Sequence, residues 1–150
     1  NPGSPVMPLT KVASGGELAR TMLALRLVLS SGPNTLVFDE VDAGIGGEAA
    51  VAVAQALALL GKRHQVLVVT HLPQVAAAGH AHIQVSKSVR NGKTYAQAAV
   101  LGEEERIAEI ARMLSGGVAE ATALEHAREL LRDSHKSGAS SQASTKRSRR

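Results

Sequence analysis

The sequence predicts an α/β fold: mainly parallel strands joined by crossover helices, plus a β-hairpin and terminal helices. Three observations predict it. Two short apolar runs, Thr35 to Asp39 and Gln65 to Thr70, are each bounded by turn residues and read as buried strands. Apolar residues recur at helical spacing before, between and after them. Further on, Asn91-Gly92 separates two extended runs, and both residues accept the positive φ of a tight hairpin turn. Helix, strand, helix, strand, helix in that order implies parallel strands and crossovers.

The elements follow in order. Leu18, Met22, Leu25 and Leu29 mark an amphipathic helix over 16–30, stopped by Ser31-Gly32-Pro33. Glu48 to Leu60 is an Ala-rich helix closed by Gly61. Pro73 fits the first turn of a short helix that Gly79 ends. His82 to Lys87 and Thr94 to Leu101 form the hairpin arms. Ile107, Ile110, Ala111 and Leu114 make one helical face, ended by Gly116-Gly117, and a final helix runs from about Ala119 to Arg132.

Composition narrows the class. The only aromatic residues are Phe38 and Tyr95, so the core is built from Ala, Val, Leu and Ile. With no cysteine, disulfides and thiolate metal sites are excluded, and a reducing cytoplasm is the simplest setting. The longest apolar run, Ala49 to Leu60, is too short to span a bilayer, so no membrane partner is expected. The first residue is Asn1 rather than Met, which fits a piece of a longer chain. Net charge is +4, yet residues 1–135 hold 12 Lys/Arg against 13 Asp/Glu. The excess sits in residues 136–150, which have no side chain suited to a core and read as a disordered basic tail. Such a tail could touch phosphates in a salt-sensitive way, or simply aid solubility.

Three short segments carry chemistry. Asp39-Glu40 ends an apolar strand, where a parallel sheet presents ligand-binding groups. Desolvated carboxylates there need a cation or hydrogen bonds, which a phosphate-bound Mg²⁺ would supply to one acid. The adjacent acid points differently and could orient or deprotonate an attacking water. Thr70-His71 ends the next strand, so His71 should reach the same sheet edge and could contact a terminal phosphate oxygen. Ser14-Gly15-Gly16 stands before a helix, where free N–H groups and close approach suit an anion; a plain Ser N-cap explains the same residues. Ser115-Gly116-Gly117 repeats the tripeptide after a helix, where it serves as a stop. His80 and His82 lack further ligands at useful spacing and read as surface residues.

Taken together, Ala13-Ser14-Gly15-Gly16-Glu17 resembles the signature motif of ABC-type ATPases, and Val37-Phe38-Asp39-Glu40 resembles their Walker B. Val41-Asp42-Ala43-Gly44 resembles the D-loop and Val69-Thr70-His71 the switch-histidine segment. More narrowly, Lys11 to Arg20, Phe38 to Gly47 and Thr70 to Ala76 resemble the RecN family, bacterial SMC-like ATPases of DNA double-strand-break repair. The similarity runs from about Asn1 to Arg132. It implies that residues 1–135 are the C-terminal lobe of an ABC/SMC-type ATPase head in a cytoplasmic, nucleoid-associated protein.

The resemblance also implies roles. Asp39 assists Mg²⁺ binding through water, Glu40 activates the hydrolytic water, and His71 senses the γ-phosphate. Ser14, Gly15, Gly16 and Glu17 contact ATP held by a second head, and Asp42 sits at that interface and couples the two sites. The implied partners are a second head in an ATP-bridged homodimer, an N-terminal lobe with a coiled coil, and DNA. The phosphate-cradling Gly-x-x-x-x-Gly-Lys-Ser/Thr loop is absent from the 150 residues, so hydrolysis needs that other lobe. Two alternatives stay open. Asp39-Glu40-Val41-Asp42 also fits a DExD-box helicase, though upstream and downstream helicase motifs are not visible. A non-catalytic DNA-binding module would use the tail, but its body should then be basic as well.

Overall fold

The computed structural model describes residues 13–29, 32–117 and 120–145, with 135–145 by backbone alone. Lys11 and Val12 of the motif region, Ser31 of the predicted helix stop, and residues 146–150 lie outside the described residues. The chain divides into two compact units, Asn1–Val75 and Ala76–Arg150.

The first unit contains α1 (Gly15–Val28), β1 (Thr35–Phe38), α2 (Gly47–Leu60) and β2 (Gln65–Val68). The strands pair in parallel, from Thr35 opposite Gln65 to Phe38 opposite Val68, with α2 as the crossover. Leu23, Leu36, Phe38, Val41, Ala50, Ala54, Leu57, Leu60 and Val75 are buried in this unit. The core is thus aliphatic around one phenylalanine.

Two expectations change here. The strands are buried on one face only: Leu36 and Phe38 point into the core, while Val37 is 67% and Val69 62% exposed. A run apolar on both faces suits a strand covered on both sides; in β1 and β2 the face bearing Val37, Leu67 and Val69 is open. In α1, Gly16 and Leu23 are buried, whereas Met22, Leu25 and Leu29 of the predicted face stay exposed. That helix carries apolar residues on more than one side, so periodicity alone does not choose the core-facing one.

The short α3 (Pro73–Ala78) leads into the second unit, which contains β3 (Ile83–Arg90), β4 (Lys93–Val100), α4 (Glu103–Ser115) and α5 (Ala121–Thr145). Strands β3 and β4 are antiparallel and joined by Asn91 (φ 50°) and Gly92 (φ 71°), the paired positive angles that the Asn-Gly sequence predicts. Helix α4 packs on α5 around Ile107, Ile110, Ala111 and Ala127, with Ala77 in the same cluster. Gly116 ends α4 in the left-handed conformation (φ 69°), so the second Ser-Gly-Gly is a helix stop.

Buried Glu109 on α4 accepts from Arg112 Nε (2.8 Å) and Nη2 (2.6 Å) and from Gln84 Nε2 (2.7 Å), tying α4 to the base of the hairpin. The Arg112 hydrogen bonds foremost hold its carboxyl below the usual range. Arg106 donates to the carbonyls of Ala76, Ala77 and Gly79 and so satisfies the end of α3. The helical backbone of α5 continues to Thr145, past the predicted end at Arg132 and into the segment read as disordered. No proline and only Gly138 interrupt residues 121–145, so nothing in that stretch forces a stop.

Candidate functional site

Parallel pairing brings the chemical segments of the first unit to one sheet edge. The ladder's last bond runs from Val69 N–H to the Phe38 carbonyl (2.9 Å), so Asp39 and Thr70 leave the sheet side by side. The chain then turns tightly, with Ala43 N–H donating to the Glu40 carbonyl at 3.0 Å. Glu40 itself takes φ 57°, a left-handed conformation uncommon for a side-chain-bearing residue. Such an angle persists only where surroundings impose it. Here they do: Arg20 Nη1 on α1 donates to the carbonyls of Val41 (3.2 Å) and Ala43 (2.9 Å), clamping the turn.

Asp42 follows, 2% exposed and among the most buried polar residues of the described chain. A carboxylate so placed requires partners. Its Oδ2 accepts the Thr70 hydroxyl and the His71 N–H (3.2 Å), and lies 3.5 Å from His71 Nδ1. The loop after β1 is thereby fastened to the loop after β2, while the His71 side chain stays exposed at the edge. Asp42 spends its carboxylate inside its own unit, on the histidine segment.

Asp39 and Glu40 are exposed, and among the described residues neither side-chain carboxylate has a hydrogen-bond or ion-pair partner. Both remain available to water or a cation. Among the described residues no group of three or more His, Asp or Glu could hold a metal ion unaided. The Asp39 carboxylate could hold a cation only as one ligand among others supplied from elsewhere.

Ser14 is the N-cap of α1. Its Oγ accepts from Glu17 N–H (3.3 Å) and donates to Glu17 Oε2 (3.0 Å), while its own N–H donates to that Oε2 (2.8 Å). This is a capping box, and it accounts for both Ser14 and Glu17 as helix-start residues. The Ser14 backbone N–H foremost, then its hydroxyl, lower the Glu17 pKa. Gly15 and Gly16 have a separate reason to be glycine. A Cβ on Gly15 would stand 2.5 Å from Glu40 Oε2, and one on Gly16 3.0 Å from the Glu40 carbonyl and 3.1 Å from Ala43 Cβ. The glycines back directly onto the Glu40 turn of their own chain.

All the predicted site residues therefore lie in the first unit, with Ser14–Glu17 gathered beside Glu40 and His71 tied to Asp42. Sequence reasoning assigned no role to Arg20 or Thr70, although both stand inside the recognised motifs. Their signal was a long donor three residues after Glu17 and a hydroxyl just before the histidine. His82, read as a surface residue, is partly buried in the second unit with Nδ1 lacking a hydrogen-bond partner.

No family model matches the chain. Curated proteins do. The DNA repair protein RecN of Deinococcus radiodurans is 58% identical over 131 residues, 87% of this chain and 23% of the relative. RecN of Treponema pallidum is 52% identical over 134 residues (88% of this chain, 23% of the relative). RecN of Vibrio cholerae is 49% identical over 133 residues (87% and 24%). The chain belongs to the RecN family. It spans about a quarter of the length of the RecN relatives it matches. Among the described residues no helix is long and apolar enough to cross a membrane.

Proposed function

We propose that this RecN segment is the C-terminal lobe of an ATPase head that hydrolyses ATP between two paired heads, in the service of DNA double-strand-break repair. The observation that carries the reading is the sheet edge where unpaired Asp39 and Glu40 lie beside His71, with Asp42 locking the two loops together. The relatives' names supply the DNA repair context.

The roles follow from position. Asp39 holds Mg²⁺ through water. Glu40 takes the proton of the attacking water, its carboxylate aimed by the strained turn that Arg20 clamps. His71 offers an N–H to a terminal phosphate oxygen. The α1 N-terminus at Gly15 and Gly16 presents free N–H groups to the nucleotide of a second head. Bound ATP supplies the phosphoryl group and Mg²⁺ its charge neutralisation; gripping it requires the phosphate loop of an N-terminal lobe. The open face of β1 and β2 is where that lobe would complete the sheet's second covering layer. Heads that close on ATP and part after hydrolysis would gate engagement or tethering of DNA ends.

Two substitutions in the intact protein test this. Glu40→Gln should stop turnover, retain ATP and accumulate paired heads; unchanged turnover removes Glu40 as the base. Ser14→Arg should leave ATP binding intact and block pairing of heads; normal ATP-dependent dimers would remove the contact in trans.

A further inference from the structure

From Ile83 to Leu101 the chain holds three Lys/Arg and no acid, although residues 1–135 as a whole are slightly acidic. The hairpin register concentrates that charge. Arg90 is directly opposite Lys93, so two cations share one face at the tip. Like charges in direct cross-strand opposition are destabilising. No carboxylate relieves them: among the described residues neither makes an ion pair. The next pair on the same face is Ser88 opposite Tyr95. Tyr95 is the chain's single tyrosine, and it is 51% exposed. An aromatic ring therefore lies two residues, about 7 Å, along the strand from the cation pair.

We propose that this face of the hairpin tip binds single-stranded DNA, with Arg90 and Lys93 on backbone phosphates and Tyr95 stacked on a base. Phosphates relieve the opposed cations and release counterions, which supplies affinity without sequence preference. A half-exposed ring at the same edge offers the stacking platform that an unpaired base can use and a stacked duplex base does not. Arg90 and Lys93 flank Asn91-Gly92, whose positive φ angles fix both cations at the turn, so the face is presented without ordering a loop. The choice of DNA as partner rests on the repair function proposed above; the surface itself rests on register, charge and exposure.

The test is fluorescence anisotropy of the intact protein with labelled oligo-dT and with a duplex of equal length, over a salt series. The Arg90→Ala/Lys93→Ala variant should bind oligo-dT at least about tenfold more weakly at low salt, with a log–log salt slope shallower by roughly 1.4. Tyr95→Ala should weaken oligo-dT binding about 5-fold to 150-fold and leave duplex binding nearly unchanged, while Tyr95→Phe should keep the wild-type oligo-dT affinity. None of these substitutions at exposed positions should lower the thermal unfolding temperature or alter DNA-free ATP turnover. Wild-type affinity and slope in the double variant would overturn the site while leaving the repair reading in place. An equal loss on duplex and single strand from Tyr95→Ala would overturn the stacking. An intact wild-type protein that binds neither probe would overturn the DNA reading itself, whatever the hairpin variants do.

Discussion

A single oxygen of Asp42, Oδ2, receives both the hydroxyl of Thr70 and the backbone N–H of His71, joining the two loops that leave the sheet. Sequence resemblance implies that Asp42 sits at the interface with a second head and couples the two sites; within its own unit its buried carboxylate bonds the histidine segment. Removing it would take the acceptor from the half-buried Thr70 hydroxyl and from the His71 backbone N–H. Asp42→Ala should therefore cost about 1–3 kcal/mol in urea unfolding. Asp42→Asn should cost less, since an amide oxygen still accepts both donors. Unchanged stability in Asp42→Ala, with loss only of head pairing, would assign the residue to the interface instead.

Gly15 and Gly16 are separable by what a methyl group would meet. At Gly15 it would strike the Glu40 carboxylate, the end of a flexible side chain that can swing aside. Gly15→Ala should fold with nearly normal stability but displace Glu40, lowering turnover far more than ATP affinity. At Gly16 the obstacles are the Glu40 carbonyl and Ala43 Cβ, held by the Arg20 clamp. Gly16→Ala should instead cost about 1–3 kcal/mol of stability. Thermal unfolding beside steady-state turnover distinguishes the two, and the reverse ordering would contradict the packing described.

These contrasts show where the sequence was readable. The Asn-Gly turn, the parallel pair and the helix stops at Gly61 and Gly116 follow from local rules, because φ preference and apolar run length are local properties. The identity of the edge residues was also legible, since acids and a histidine ending apolar strands must emerge at one edge. What the sequence left open was pairing between distant side chains. Nothing local says that Arg20 reaches the carbonyls of Val41 and Ala43, or that the Thr70 hydroxyl reaches Asp42. The wrong choice of buried face in α1 has the same cause: helical period identifies stripes, and tertiary packing selects among them.

His82 gives the second unit a pH dependence. Burial foremost, and then the Arg106 guanidinium, push its imidazole below the ordinary 6.5, with Glu109 opposing. As pH falls through 6.5 the unfolded imidazole takes a proton that the folded one resists. The unfolded state then binds more protons, so stability present above that value is lost on acidification. Melting temperature should drop between about pH 7 and about pH 5, and His82→Gln should flatten that part of the curve. Glu109, with its lowered pKa, contributes in the same direction at more acidic pH, below its ordinary 4.5. An unaltered profile in His82→Gln over the upper window would exclude His82 as the source.

The open face of β1 and β2 makes a comparison possible between the 150-residue chain and the intact protein. Val37 is 67% exposed on this face, and its register neighbour Leu67 is exposed as well. Threonine keeps the β-branched shape and the strand preference of valine while replacing a methyl with a hydroxyl. In the 150-residue chain Val37→Thr should shift unfolding by no more than about 0.5 kcal/mol, as surface substitutions do. In the intact protein an N-terminal lobe seated on this face would bury the same hydroxyl without a partner, at a cost of about 1–3 kcal/mol. Denaturant unfolding of both forms reads the difference directly. Equal, small effects in the two would mean that Val37 stays in water in the whole protein and that the lobe packs elsewhere.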